Sequence, residues 1–462
     1  MTHQEESLSA RQKLRFVLDN EALWVLGEAA PQREAGSPGA PRHYPEWTWY
    51  LYDASVSIYL SARKAAAELA DAWPTVVAAS KNRYPGRPEM WAPADPPERH
   101  HWQYAKKRLR KEPILAQAIT LFERTAAAQA IEIGIANPLL GSLSSPDPLN
   151  ALTGDGKVIT PPYKARPRTP IVDRETGEIL GHKKADPDAM LHITGGGHPA
   201  YGNKFVMIAG RTPAWHGRVI LSLDHVPTKS GEAQVALQCI DRIAPHLPGA
   251  QTIVYDGAFR GAHVHHLLRN VGLIPISPPT AAKAETDDQP REEKIAFIET
   301  ITTPSGGQLT LYGRGGQIGI GEFDSDGNET FLSLQRTSIK RQRNTDGTHR
   351  WYGVYRLPDH LGGDTIMIRA DTTDEDRRRK INRSENYRLI PPDDSSYEAL
   401  YPLRSDIEAN NRQLEDTLWI NRAHSVGAKA QLLDLLGYAL LYNSIAIGLA
   451  RSRRASIGAK AA

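Results

Sequence analysis

The chain has 462 residues, 40% of them hydrophobic and 24% charged, with 56 Lys and Arg against 53 Asp and Glu for a formal net charge of +3. That length sets an expectation of about three domains with a sizeable core, and the composition is that of an ordinary globular protein rather than a histone-like or polybasic one. The single cysteine, Cys239, excludes an intramolecular disulfide and a Cys-based zinc cluster.

The N-terminal MTHQEESLSARQKLRF carries acids and lacks the apolar run of a signal peptide, which points to the cytoplasm. Leu8, Leu14, Val17, Leu18, Leu23 and Leu26 recur near helical spacing and predict one amphipathic helix over 5–27, with Ser7 or Ser9 as its N-cap. Pro and Gly mark a linker over 31–45. A second helix is expected from Trp47 to about Ser80, a Pro-rich connector over 85–97, and a third helix from Arg99 to Ala136. Residues 1–140 therefore read as a helical domain.

The texture changes at Leu152. TGDGKVIT, MLHITGG, KFVMIAGRT, GRVILSLDHV and QTIVYDGAFRG are strand-like runs, and helices are expected over 232–247 and 262–270. Alternating strands and helices predict an α/β core over 150–290. Residues 280–294 are polar and read as a loop. IAFIETITT, GQLTLYG, ETFLSLQRTS, HRWYGVYRL and DTIMIRAD predict an all-β insertion within 291–385. Helices return over 395–462 and end in an apolar stretch, Lys429 to Ala450. That stretch is long enough to span a membrane, but Asp434 and Asn443 within it favour a buried core helix.

Three carboxylates stand out. Asp155 lies in TGDGKVI, Asp256 ends the apolar run TIVYD, and Glu408 lies in the helical YPLRSDIEANNRQLEDTLW. Acids at strand ends and on a neighbouring helix can hold Mg²⁺, a hard cation that takes oxygen ligands. Two such ions suit phosphoryl transfer. Taken singly, an Asp after a strand is more often a turn former. Asp224 in LSLDHVP rivals Asp256, but lacks the Gly and Arg that follow the latter.

The segment around Glu408 adds a motif. Tyr401, Arg404 and Glu408 resemble the Tyr-Arg-Glu-Lys signature of IS4-type insertion-sequence transposases, within the DDE transposase superfamily. The final Lys is replaced by Glu415, and Arg412 stands one helical turn after Glu408. GDGK, AYGNKFVMIAGR and TIVYDGAFRG are similar to other family segments and follow in the family's order. The resemblance covers about 150–450 and implies an RNase H-like catalytic core interrupted by a β-rich insertion. It implies Asp155, Asp256 and Glu408 as catalytic metal ligands for Mg²⁺, with Mn²⁺ substituting. Tyr401 and Arg404 would contact DNA phosphate, a role that suits their donors. The implied activity is cleavage at element ends and strand transfer into target DNA. Terminal inverted repeats and target DNA are then the partners, a homodimer is expected, and no membrane is involved. A transposase-derived DNA-binding protein without catalysis, or a nuclease without strand transfer, shares these features.

Lys106, Lys107, Arg108, Arg110 and Lys111 follow His100, His101, Trp102 and Tyr104, and this mix of base and aromatic is a candidate DNA face. Arg412 joins them as a candidate contact. Further basic runs lie at Lys340 to Arg343, Arg377 to Lys380 and Arg451 to Arg454. His263, His265 and His266 read as ordinary surface or core histidines, and Trp47, Trp49 and Trp351 as core residues.

Overall fold

The structure is a computed structural model that describes residues 8–29, 42–166, 168–173, 175–193, 197–279, 295–304, 306–323 and 329–461. Six helices come first: α1 (Ala10–Leu18), α2 (Glu21–Ala29), α3 (Trp47–Tyr59), α4 (Ala62–Arg83), α5 (Arg99–Leu109) and α6 (Ile114–Glu132). There follow β1 (Ala151–Ile159), β2 (Pro170–Val172), β3 (Ile179–His182), β4 (Met190–Ile193), β5 (Pro199–Arg211), β6 (Arg218–Val226), α7 (Glu232–Ile243), β7 (Thr252–Val254), α8 (Gly261–His266) and β8 (Ile274–Ile276). Next come β9 (Ala296–Thr302), β10 (Gln308–Arg314), β11 (Gln317–Phe323), β12 (Glu329–Ser333), β13 (Gln335–Arg343), β14 (His349–Arg356) and β15 (Thr365–Arg369). The chain closes with α9 (Asp374–Arg379), α10 (Arg383–Asn386), α11 (Ser395–Leu400), α12 (Arg404–Thr417) and α13 (Ala428–Ala461).

These elements divide into two units, and β1, α7 and α12 each run from one into the other. The first unit comprises Met1–Gly134, Gly156–Val235 and Glu408–Ala462. Its axis is α13, which packs on α1, α3 and β6. Length and composition alone would let α13 cross a membrane, but 83% of its most apolar window is buried inside the protein. Polar side chains fix it there. Asn443 accepts from Ile220 N and donates to Ile220 O, both at 2.8 Å, which ties the helix to β6. Gly437 lets it approach α3 closely, since a Cβ there would stand 2.6 Å from Asp53 Cβ. In this unit β5 pairs antiparallel with both β4 and β6.

Each of the three expected N-terminal helices is two. Ser9 caps α1 through Gln12, and Asn20 opens α2 by accepting from Ala22 N at 2.8 Å. Leu60 adopts a left-handed φ of 61° after α3, and Ser61 caps α4. A turn at Arg110–Pro113 separates α5 from α6. In each case a short polar side chain or a backbone reversal breaks an apolar periodicity that runs on through the break.

The second unit comprises Ile135–Asp155 and Ala236–Ile407. The start of β1, β7 and β8 form a parallel sheet with Leu152 opposite Ile253 and Ile253 opposite Pro275. Two antiparallel sheets follow, β12-β11-β10-β9 and β13-β14-β15. The strand β11 was not expected, and the ETFLSLQRTS run is two strands broken at Leu334. Trp351, Tyr387, Ile298 and Ile368 anchor a continuous apolar core. The expected polar loop over 280–294 lies outside the described residues.

Candidate active site

The second unit brings two of the expected acids together. Thr153 of β1 is opposite Val254 of β7 in a parallel register, so Asp155, still within β1, and Asp256, just past the end of β7, both lie two residues beyond the last paired residues and come side by side. Their carboxylates offer ligand atoms within 4.8 Å of one another. Both lie at the carboxyl end of a parallel sheet, where ligands of open α/β sheets collect. Asp256 Oδ1 accepts from Ala258 N at 2.8 Å, which fixes its rotamer. Both side chains are half-buried. Two close carboxylates repel each other unless a cation lies between them, and their oxygens are the donors that Mg²⁺ or Mn²⁺ takes.

Tyr401 and Arg404 belong to the same unit. Tyr401 stacks on Tyr397 with ring centroids 4.9 Å apart and planes 17° from parallel. Burial raises the Tyr397 hydroxyl pKa above its ordinary value, so the Tyr397 phenol stays neutral. Arg404 opens α12 and is half-buried.

Glu408 and Glu415 lie seven residues apart on α12, in the first unit, on one face of the helix. Glu408 is exposed. Glu415, which stands where the signature has Lys, forms an ion pair with Lys157 of β1. The charge reversal on the helix is thus met by a cation on the strand.

Sequence reasoning missed Glu232, the first residue of α7. In the first unit its carboxylate packs on Gly156, the residue after Asp155: a Cβ on Gly156 would stand 2.5 Å from Glu232 Cδ and 2.7 Å from Lys204 Cε. Gly156 thus lies in close approach to the flexible ends of both side chains rather than in a left-handed turn. Lys204 forms an ion pair with Glu232. His192 of β4 has its pKa lowered, first by burial and then by the Lys204 charge. The signal for Glu232 was its place at the first position of a helix that follows a strand, which no spacing rule distinguishes from an ordinary helix-starting acid.

The candidate DNA face on α5 needs one correction. Lys106 does not face solvent: it is buried, 3.4 Å from Asp53 Oδ1, and bonded to Asp434. At that point in the helix the cation points into the apolar face, beside Trp102. Arg108 bonds both oxygens of Glu46 at 2.7 and 2.6 Å. Lys107, Arg110, Lys111 and Arg412 are exposed. Together with Arg42, Arg99, His43, His100 and His101, the α5 side chains line a groove of about 1150 Å³ in the first unit. The other basic runs are more engaged. Arg377 and Arg378 pair with Asp374 and Glu375, Arg341 donates to Gly272 O, and Arg451 pairs with Glu132.

The three histidines serve structure: His263 Nδ1 accepts from Arg260 N, His265 Nδ1 accepts from Thr372 N, and His266 bonds Asp241. Trp47, Trp49 and Trp351 are buried in the core.

Comparison with known proteins bears on the same region. No curated protein matches the chain. Residues 214–444, half of its length, match the transposase DDE domain, a span that includes Asp256 and Glu408. Paired aspartates on parallel strands and this match agree, and the chain belongs to the transposase DDE domain family.

Proposed function

We propose that the protein is a DNA transposase of the IS4 type that cuts DNA at the ends of a mobile element and joins the freed ends to target DNA. The observation that carries this is the Asp155–Asp256 pair, held side by side by the β1–β7 register. Asp155, Asp256 and Glu408 are the catalytic carboxylates, and Glu232, packed against Gly156, is a further candidate ligand. Divalent cations held by them would lower the pKa of an attacking water and stabilise charge on the phosphodiester oxygens. The protein's own part is to fix the carboxylates, exclude misaligned phosphates and hold the DNA backbone. Arg404 suits a phosphate clamp, Tyr401 donates one hydrogen bond, and Lys107, Arg110, Lys111 and Arg412 supply exposed cations. A homodimer follows from the need to bring two ends together.

The test is cleavage of duplex DNA carrying the repeats that flank the coding region, with Mg²⁺ or Mn²⁺. Wild type should nick at the repeat boundary and leave a 3′-OH that joins target DNA. Asp155→Asn, Asp256→Asn and Glu408→Gln should each lower the rate by about 10³-fold or more, the scale of losing an essential catalytic group. Unchanged cleavage in all three sinks the assignment. Cleavage without joining would leave a nuclease.

A further inference from the structure

Between α12 and α13 the chain reverses within four residues. Arg422 N donates to Trp419 O at 3.0 Å, and these residues form an isolated antiparallel bridge. The two central residues, Ile420 and Asn421, have φ of 51° and 54°. Tight hairpin turns of this kind favour Asn and Gly at both positions. Asn421 fits. Ile420 does not, because a β-branched side chain in the left-handed region crowds its own backbone. Burial does not compensate: Ile420 is 74% exposed and Trp419 58%. The turn is strained to hold two large apolar side chains in solvent, and strain of this kind collects at functional sites.

The turn is also braced. Leu418 N donates to Glu415 O at 3.0 Å, and Ala423 N donates to Thr160 O at 2.9 Å. His424 bonds Thr417 O at 2.9 Å, and Arg422 Nη1 donates to Pro162 O at 3.2 Å. Pro162 and His424 in turn line the α5 groove, with Arg99, Lys107 and Arg110 among its other lining residues. A rigid apolar tip therefore stands beside a cationic groove in one unit. The groove's charge selects a polyanion, and aromatic and aliphatic side chains enter or stack on base steps.

We propose that Trp419 and Ile420 form a wedge that enters a base step of duplex DNA whose phosphates lie along the α5 groove. This rests on the DNA-acting function above. The wedge unstacks the step and so softens the duplex close to α12, the helix that carries Glu408.

The experiment uses the full chain and a short duplex with TA steps, in EDTA so that nothing is cut. TA steps unstack easily, and permanganate oxidises unstacked thymines. Bound wild type should show enhanced thymine oxidation. Trp419→Ala and Ile420→Gly should each abolish it, and Trp419→Ala should weaken binding about tenfold, in line with loss of one base–aromatic contact. Trp419→Phe should retain it. Ile420→Gly relaxes the turn, so its melting temperature should equal or exceed that of wild type, which separates loss of the wedge from unfolding. Protected thymines in bound wild type, or enhanced oxidation that survives Trp419→Ala, would overturn the wedge and leave the DNA-acting function standing. A DNA-free dimer that Trp419→Ala dissociates, with thymine oxidation unaltered, would show that the tip meets a second copy, and would also overturn it. If wild type binds no duplex, the DNA-acting function itself falls.

Discussion

Lys106 shows how one residue can be misjudged from its neighbours. It sits in a basic run, yet its ammonium is enclosed by Asp53 and Asp434, from α3 and α13. Trp102 Nε1 donates to Asp53 at 2.8 Å, completing the network. Removing the cation leaves the buried Asp53 and the partly buried Asp434 without their shared counter-charge. Lys106→Ala should therefore destabilise the protein by about 3–5 kcal/mol, measured by urea unfolding, while Lys107→Ala changes stability little and lowers DNA affinity. A Lys106→Ala variant of wild-type stability would refute the buried network.

The same network sets a pH dependence. Asp53 has its pKa raised from 3.8 to about 6, burial being the largest cause and the Asp434 charge a further one, against the lowering effect of Lys106. The folded chain thus binds more protons at this site than the unfolded chain between roughly pH 4 and 6. Asp53's contribution to stability is fully present below that window and is lost as pH rises through it. The stability of wild type minus that of Asp53→Asn should fall across the window and then level. A difference that rises with pH would contradict the assignment.

At the scale of elements, α12 and α13 organise the first unit. The Lys157–Glu415 pair joins α12 to β1, and both side chains are partly exposed. A pair so placed is worth at most about 1 kcal/mol. Lys157→Glu and Glu415→Lys should each destabilise by no more than that. The charge-swapped double variant should recover most of the loss in a double-mutant cycle. Additive losses would mean that the pair is incidental. Gly437 marks where α13 meets α3. Gly437→Ala should cost about 1–3 kcal/mol, the range for overpacking a close contact.

Elements also show what was legible in the sequence. The β1, β5 and β6 runs were plain because each alternates or is continuously apolar between Gly and Pro breaks. The breaks at Asn20, Leu60 and Arg110 were not, because apolar periodicity continues across them and only the tertiary partners of Asn20 and the backbone reversal at Leu60 end the helices. The strand β11 escaped because four of the nine residues of GGQIGIGEF are glycine and the apolar alternation is short. In the site, Asp256 stood out as the acid ending an apolar strand and Asp155 as an acid expected at the start of one, although it lies in the middle of β1. Their adjacency was not legible, since it depends on the parallel register of strands about a hundred residues apart. Glu232 and the Lys157 partner of Glu415 needed the folded chain.

At the scale of the whole molecule, a net charge of +3 conceals an arrangement. The α5 groove gathers exposed cations in the first unit, while the second unit holds the aspartate pair. The match to the transposase DDE domain spans parts of both units. On the proposed function both kinds of group are needed, cations to hold phosphate and acids to hold metal. The DNA affinity of the full chain should accordingly fall steeply with salt, with a smaller slope after Lys107→Ala and Arg110→Ala. A slope unchanged by both substitutions would remove the groove from the DNA path.

On the proposed function, Asp155 and Asp256 together hold a divalent cation. Calorimetric titration of the full chain with Mn²⁺ measures this without any DNA or turnover. Wild type should show saturable binding that Asp155→Asn and Asp256→Asn each weaken more than the roughly 10–100-fold expected for a residue that merely supports a ligand, with melting temperatures held. Binding that is undiminished in both variants would contradict the account.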